Sequence, residues 1–559
     1  MRYLSILLTI ALSLVCQVDK GYPNDQVGTP PYEELLIFST NGDFFVSGET
    51  IHLPFYCLNK ADFSLSNISS IAYITVLNED KEQIHQAKID LKSGQGAYEF
   101  FIKSSYPTGN YYITAHTQLM RNQSFSDWYI KEVSIVNPFV SYDNPDTDSV
   151  ESETKVRATN TAVPLEIEMT SNTFKQRSSI KFSLQSVSSS SLFSSLMVYR
   201  EDDLSDLDND FSNFLAKKRV QISHAPKQEH PSYYRHFPET KGELLSGTIT
   251  GADTIEYPAE IHAMFPGKDF HFIGTELYHP DDTFNISIPK GILSDKVSIV
   301  SPNCPKCQIK LFGKFPDSYD FVPTSRLTLN DDQLSKIKER SIHSQIVNAY
   351  NSSRQNKDEF IPYEPFYGKA DKVYILSDYA SFGKMADIFK EITTNISLRT
   401  NGSENKLRLI GEKREIIEDP LILVNGIIVD DIASIIKMET NTLEKIETVS
   451  KRFYMGPAYF NGIISFTLSE SGNNLIPNDH THDFLRLSPR IEERLVIKSQ
   501  RTPLHDQVLY WLPDLRFSSN EGKEFNIQAG DIPGTYIIQM EVLDEYGNIQ
   551  SVSSNFVIE

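Results

Sequence analysis

Short apolar segments of about five to eight residues, each bounded by a turn signal, recur along most of this chain, and that spacing commits it to sheets. Between 35 and 140 the candidate strands are Leu35–Ser39, Ile51–Cys57, Ile71–Leu77, Ala97–Ile102, Tyr111–Thr117 and Ile130–Val136. Turns fall at Asn41-Gly42, Ser47-Gly48 and Pro107-Thr108-Gly109. Alternating strands at this spacing predict a β-sandwich over 35–140. Composition agrees. Tyr and Phe (27 and 33) far outnumber Trp (2), which suits pleated, half-buried surfaces, and a hydrophobic fraction of 40% can build packed cores.

A stretch rich in Asp, Ser, Thr and Asn over 141–163 marks a boundary. Strands resume at Leu165–Met169, Ile180–Leu184 and Leu196–Tyr199, which predicts a second sandwich over 160–202 completed by strands from later in the chain. An acidic run, Glu201 to Asp210, leads into a polar stretch read as an extended connection over 211–240. A third β unit spans 236–325, with strands at Glu260–Met264, Thr283–Ile288 and Val297–Val300. The periodicity then changes. Leu334–Tyr350 carries Ile337, Ile342, Ile346 and Val347 near helical spacing, and Ser377–Ile392 does the same from Tyr379 to Ile392, with Asp378 as its cap. Leu407–Ile410, Leu421–Val424 and Ile463–Thr467 read as strands, and Asn441–Glu447 as a short helix before Thr448-Val449. Residues 360–470 therefore form a small α+β unit. A last β domain occupies 500–559, with Tyr510-Trp511, Phe525–Ile527, Thr535–Leu543 and Asn555–Ile558. The expected fold is mainly β and multidomain: tandem β-sandwiches with one small α+β domain.

Lys plus Arg is 53 against 74 for Asp plus Glu, a net charge of −21. That sign excludes a nucleic-acid binder, which needs a basic face, and docking on anionic lipid through polybasic contacts. Arg2 followed by the apolar run Leu4–Val15 reads as an export signal over 1–16, too short to span a bilayer. Cleavage before Gln17 and acylation of Cys16 both remain open. Cys304-Pro305-Lys306-Cys307 offers a redox dithiol, half a zinc site or a local structural disulfide. Zinc lacks a second cysteine pair, and the flanking segments read as two strands joined by a turn, which favours the disulfide. Cys57 reads as a buried core thiol.

The run Pro107-Thr108-Gly109-Asn110-Tyr111-Tyr112-Ile113-Thr114-Ala115-His116-Thr117, with Gly48-Glu49-Thr50-Ile51, Met120-Arg121-Asn122 and Val136-Asn137-Pro138, resembles the macroglobulin-like sandwich of Bacteroidota envelope proteins. The stretch from Pro420 to Asp430, then Leu443–Val449, Tyr454, Gly456 and Phe460–Thr467, resembles the plug domain of TonB-dependent outer-membrane receptors. Asn425 stands where that family usually has Asp. Asn425-Gly426 suits a type I′ turn, and Gly456 and Gly462 match the plug's later glycines. His236–Gly242 and the strands after it resemble a carboxypeptidase-regulatory-like sandwich. Only about 90 residues follow position 470, too few for the alternating strands of a transmembrane barrel. The resemblance therefore implies a plug-like domain without its own barrel. No Cys-Gly-Glu-Gln thioester occurs either, so covalent trapping of proteases does not carry over.

Candidate chemistry is sparse. Asp206, Asp208 and Asp210 alternate like calcium ligands, yet Phe211 and Lys217 occupy the positions where an EF-hand needs Gly and Glu, so a solvated acidic loop is the reading. Asp479-His480-Thr481-His482-Asp483 could meet a divalent metal, but it lies in an expected loop with no supporting helix motif. There is no G-x-S-x-G, P-loop or dinucleotide-binding fingerprint. His52, His116, His236, His271 and His343 are scattered and read as core or surface histidines. The site residues singled out are structural: Cys304, Cys307, Asn425, Gly426, Gly456 and Gly462. The expected function is a non-enzymatic, exported envelope protein without cofactor or metal. It would act as an interaction scaffold in the periplasm or at the outer membrane, with a protein partner and peripheral membrane association. The alternative is an accessory plug-carrying subunit of an outer-membrane transport or assembly complex whose barrel is another chain.

Overall fold

The structure is a computed structural model. It describes residues 32–142, 165–201, 204, 210–224, 235–250, 257–265, 271–279, 282–301, 307–350, 365–379, 383–401, 404–429, 432–455, 458–469, 481–491, 494–495 and 502–559. The expected export signal, Cys304, Gly456, Asp206, Asp208, Asp479 and His480 lie outside these residues.

The chain is mainly β and multidomain. In the first sandwich a sheet of Glu34–Phe38, Thr50–Asn59 and Gln95–Phe101 faces a five-stranded sheet ordered Phe44–Val46, Ile130–Val136, Gly109–His116, Ile71–Leu77 and Gln83–Asp90. Their inner faces bury Leu36, Phe38, Phe55, Ile74, Ile113 and Ile135 in one core. Gln83–Asp90 was not expected as a strand, because its QIHQAKID pattern is mostly polar.

The sequence separates 160–202 from 500–559, and the structure joins them. One six-stranded sheet runs Thr173–Phe174, Ile549–Ile558, Gly534–Asp544, Leu192–Arg200, Val508–Phe517 and Arg494–Leu495. Its partner sheet is Gly522–Gln528, Ser179–Ser186 and Leu165–Met169. Leu192–Arg200 pairs on both sides with strands more than 300 residues later, as in Leu196 opposite Leu512 and Met540. Neither portion alone could cover the apolar face that both bury.

A third pair of sheets lies between these portions in the chain. Phe284–Pro289, Gly242–Thr250 and Gln308–Leu311 form one. His271–Leu277, Ala259–Phe265, Lys296–Val300 and the distant Thr481–Asp483 form the other. The chain then doubles back over the first sandwich. Tyr319 and Val322 pack on Leu77 and Tyr112, and Leu327, Leu329 and Ile337 pack on Phe44, Val46 and Val136.

Helices differ from expectation in three places. Asp210–His224 is a helix, α1, where an extended connection was expected. Phe211, Leu215 and Lys218 fall on one face at i, i+4 and i+7. The first two enter the first sandwich's core, and the Lys218 ammonium lies 2.9 Å from Asp127. The second helix, α2, spans Asp331–Tyr350, and its Arg340 forms a buried ion pair of 2.7 Å with Glu49. Over 377–392 the expected single helix is broken into a 3₁₀ turn, Leu376–Asp378, and a helical stretch from Met385 to Ile392 that ends in a π turn. Leu443–Val449 is a strand rather than a helix, because Ile446, Thr448 and Val449 are β-branched and sit between two neighbouring strands.

The α+β unit holds a five-stranded sheet ordered Lys372–Ile375, Leu443–Val449, Ile463–Leu468, Leu421–Val424 and Ile427–Ile428. One face packs Ile422, Val424, Ile446, Ile464 and Phe466 against Met385, Ile388, Phe389 and Ile435, the last from helix α3 (Ile432–Lys437).

Candidate interaction surface

Strand alternation in the α+β sheet sends Leu421, Leu423, Val449 and Ile463 to the face opposite its helices, where Met264 of the third unit covers them. The same face continues outward onto the edge strand. There Val373 and Ile375, opposite Glu447 and Lys445, are 50% and 47% exposed. The Lys445 ammonium and the Glu447 carboxylate pair at 2.9 Å beside them. Among the described residues this places an apolar strip on an unpaired sheet edge, bordered by the Lys445–Glu447 ion pair.

A two-stranded ribbon, Phe453–Met455 with Ala458–Phe460, leaves the end of this sheet. Phe453 and Phe460 face inward, near Phe366 and Phe272. One residue on, Tyr454 and Tyr459 point outward at 70% and 56% exposure, with ring centroids 6.2 Å apart. The Arg452 guanidinium lies 4.9 Å over the Tyr459 ring, and its Nε donates to Asn461 Oδ1 at 2.9 Å. Flat aromatic faces beside a cation suit a protein partner, because they bring large contact area with little rotamer entropy to lose.

A further groove of about 550 Å³ opens where the C-terminal sandwich's two sheets part, lined by Tyr510, Leu512, Leu515, Lys523 and Phe525 among others.

The site residues read from sequence are placed as follows. Asn425 (φ 48°) and Gly426 (φ 78°) both take positive φ between Val424 and Ile427, the backbone of a type I′ turn. Asn425 Oδ1 also accepts from Leu468 N at 2.8 Å. Gly462 sits at φ 111°, where a Cβ would approach Val449 O and Leu409 Cδ1 to 2.9 Å. Gly462 stands at the start of the parallel strand pair Leu421–Val424 and Ile463–Leu468, and Asn425-Gly426 follows the other end of Leu421–Val424. Cys307 is buried in the third unit and is disulfide-bonded. Cys57 is a free, buried thiol, pushed well up by burial and then by Glu34 beside it. That thiol is not a nucleophile.

Several other buried polar groups are tied into hydrogen bonds and ion pairs. Glu34 accepts from Ser66 Oγ (2.5 Å), Ser69 N (3.1 Å), Ser69 Oγ (2.6 Å) and Thr117 Oγ1 (2.7 Å). Where the third unit meets the first sandwich, Tyr73 donates to Glu239 Oε2 at 2.8 Å and Lys314 pairs with Glu239 at 2.9 Å. Nearby, Lys88 pairs with Glu243 at 2.5 Å. His116 is stacked on Trp128 at 4.4 Å, and burial drives its imidazole down to about 3, so it is neutral. His85 bonds Tyr98 and His343 bonds His505, both at 2.7 Å. Among the described residues neither pair is hydrogen-bonded to a serine or cysteine. Among the described residues no three His, Cys, Asp or Glu side chains could together hold a metal ion. His482 and Asp483 lie in the strand Thr481–Asp483, where Asp483 pairs with Lys296. The exposed strip and tyrosine ribbon were not anticipated from the sequence. A signal was present in Lys372-Val-Tyr-Ile375 and in the aromatic residues on both sides of Gly456-Pro457.

No family model matches the chain, and no curated protein matches it. Among solved structures it is similar to native Escherichia coli alpha-2-macroglobulin, with 9% identity, TM-score 0.25, and 95% of this chain and 40% of that one covered. Salmonella alpha-2-macroglobulin reacted with methylamine gives 8% identity, TM-score 0.24 and the same coverage. A tetra-tandem repeat from the extending region of a large adhesion protein gives 8% identity and TM-score 0.14, with 94% of this chain and 99% of that one covered. The chain spans 40% of the length of these two macroglobulins. Likeness at these scores assigns no role to any residue. Among the described residues no helix is long and apolar enough to cross a membrane, which says nothing of β-barrels.

Proposed function

We propose that this chain is a non-enzymatic, exported scaffold whose sandwiches hold one face of the α+β unit out to a protein partner. The observation that carries the reading is the exposed edge strip of Val373 and Ile375 together with the Tyr454/Tyr459 ribbon. An unpaired edge can accept a partner's strand, and the alternating apolar side chains can select it. Support for rigidity comes from segment 481–491. Thr481–Asp483 adds to the third unit's sheet, Ser488 N donates to Lys88 O of the first sandwich at 2.9 Å, and Arg490 pairs with Asp514 beside the C-terminal sheet at 2.7 Å. The export expectation, the plug resemblance and a place at the outer membrane belong to this proposal too.

The test compares full-length protein with V373E/I375E and with Y454A/Y459A in detergent-solubilised native membranes. The reading expects one stoichiometric partner, lost in at least one double variant and retained by the distant surface variant Tyr546→Ala. Capture equal in all four proteins refutes it. A captured outer-membrane barrel would turn the scaffold into the plug-carrying subunit described above.

A further inference from the structure

Two sheets from different sandwiches meet face to face. On the first sandwich, His52 and Tyr56 of Thr50–Asn59 and Gln95, Ala97 and Glu99 of Gln95–Phe101 share one face by alternation and register. On the C-terminal sandwich, Glu541 lies opposite Ser195 on one side and Ser551 on the other, and Trp511 lies opposite Met197. The His52 ring meets Trp511 edge-on at 4.7 Å. Ala97 packs against the cluster of Met197, Tyr199 and Trp511.

At the centre of this contact stands a carboxylate. Glu541 is 4% exposed. Its Oε1 accepts from Gln539 Nε2 at 2.8 Å and Ser551 Oγ at 3.3 Å, while its Oε2 has no donor among the described residues. Both amide atoms of the Gln95 side chain and the Trp511 indole nitrogen are also buried without a hydrogen bond among the described residues. Among the described residues no cation pairs with Glu541. Arg490 is taken up by Asp90 and Asp514, and His52 by Glu99. The Tyr199 hydroxyl donates to Gln539 Oε1 at 2.6 Å. An ionised Glu541 is therefore a buried charge with two neutral donors, and a protonated one is a small neutral group.

We propose that this contact is a proton-operated latch, with Glu541 as its sensor: the two sandwiches are tightly docked when Glu541 is protonated and looser when it is ionised. Burial raises Glu541 from 4.5 to about 7 in the docked form. Solvated in an undocked form, it returns to the usual carboxylate range. Docking is then strongest below pH 4.5. It weakens about tenfold per pH unit as the undocked form ionises first, and levels off above about pH 7, a total on the order of a hundredfold.

Trp511 reports on the contact directly. The full chain carrying Trp128→Phe leaves it as the only tryptophan. The latch expects acrylamide quenching of Trp511 to rise between pH 4.5 and 7 and then stay level, and Glu541→Gln to hold it low throughout. Hydrogen exchange of Gly534–Asp544 in otherwise unmodified protein supplies a second readout, with the same pH window and the same loss of dependence in Glu541→Gln. A quenching step that persists in Glu541→Gln does not come from Glu541, and flat exchange in both proteins leaves no moving contact. Either result overturns the latch.

Discussion

The first and C-terminal sandwiches solve one packing problem with chain of opposite continuity. The first draws its eight described strands from 34–136. The second draws its strands from 165–200 and 494–558, with the third unit and the α+β unit inserted between. Their cores are alike in kind, but their buried carboxylates are not. Glu34 has four donors around it, whereas Glu541 leaves an oxygen unmatched. Local chain can be arranged to surround a buried carboxyl with donors. A face formed by distant segments and closed by another domain retains a group whose state depends on that closure.

The most severe test of the contrast is fragmentation. Residues 32–142 contain both sheets of the first sandwich and should give a dispersed amide spectrum alone. Residues 502–559 lack Leu192–Arg200, the strand between Val508–Phe517 and Gly534–Asp544, and should be unfolded alone. A folded 502–559 fragment would break the comparison.

Opposite pH slopes should follow. His116 titrates near 3 when folded against 6.5 in the open chain, and His85 near 4. The unfolded state binds more protons between these values, so the first sandwich is at full strength above pH 6.5 and loses stability as pH falls toward 3. For His116, fully buried, the loss is about 4 kcal/mol. Glu541 tilts the C-terminal sandwich the other way, with stability lost as pH rises from 4.5 to about 7. Hydrogen exchange resolved by strand, followed from pH 4 to 8, should show the two sandwiches trading places as the weaker one. Parallel slopes would remove the distinction.

Glu34→Ala sharpens the same point at one residue. It strands the hydroxyls of Ser66, Ser69 and Thr117 in the core and should cost about 3 kcal/mol in urea unfolding. Glu541→Gln at pH 7.5 should instead stabilise. Equal losses from both would mean that the two carboxylates are handled alike.

What was legible follows the same division. Ile71–Leu77 and Ile130–Val136 fall where the sequence placed them, because each pairs with strands nearby in the chain; Ile130–Val136 alternates between core and outer face, while Ile71–Leu77 is buried on both. The union of 165–200 with 508–558 was not legible beyond an incomplete second sandwich. Nothing local to Leu192–Arg200 says which strands, three hundred residues later, will flank it. Helix α1 was hidden because its buried stripe is short, Phe211, Leu215 and the stem of Lys218, amid charges that read as linker. Leu443–Glu447 misled because its spacing of Leu443 and Ile446 fits a helix, and only sheet neighbours decide against it. Of the candidate surface, the I′ turn was visible as Asn-Gly, a local signal. The exposed strip was not, since exposure of Val373 and Ile375 depends on how far the third unit reaches across the sheet.

The smallest effect tests that local signal. Gly426 sits at φ 78°, a region in which a β-branched residue clashes with its own carbonyl. Gly426→Val in the full chain should cost the α+β unit about 2 kcal/mol, and Gly426→Asn much less, since Asn tolerates this backbone. The loss should stay outside the two compared sandwiches. Of the residues the turn joins to Ile427-Ile428, Val424 packs into the α+β core and Leu423 into the cluster shared with Met264 of the third unit, and neither enters a compared sandwich. Calorimetry resolving one lowered transition, with the others unmoved, is the expected result. A shift shared by every transition would mean that the units unfold as one body, and a contrast drawn between separate sandwiches would then have no independent stabilities to compare.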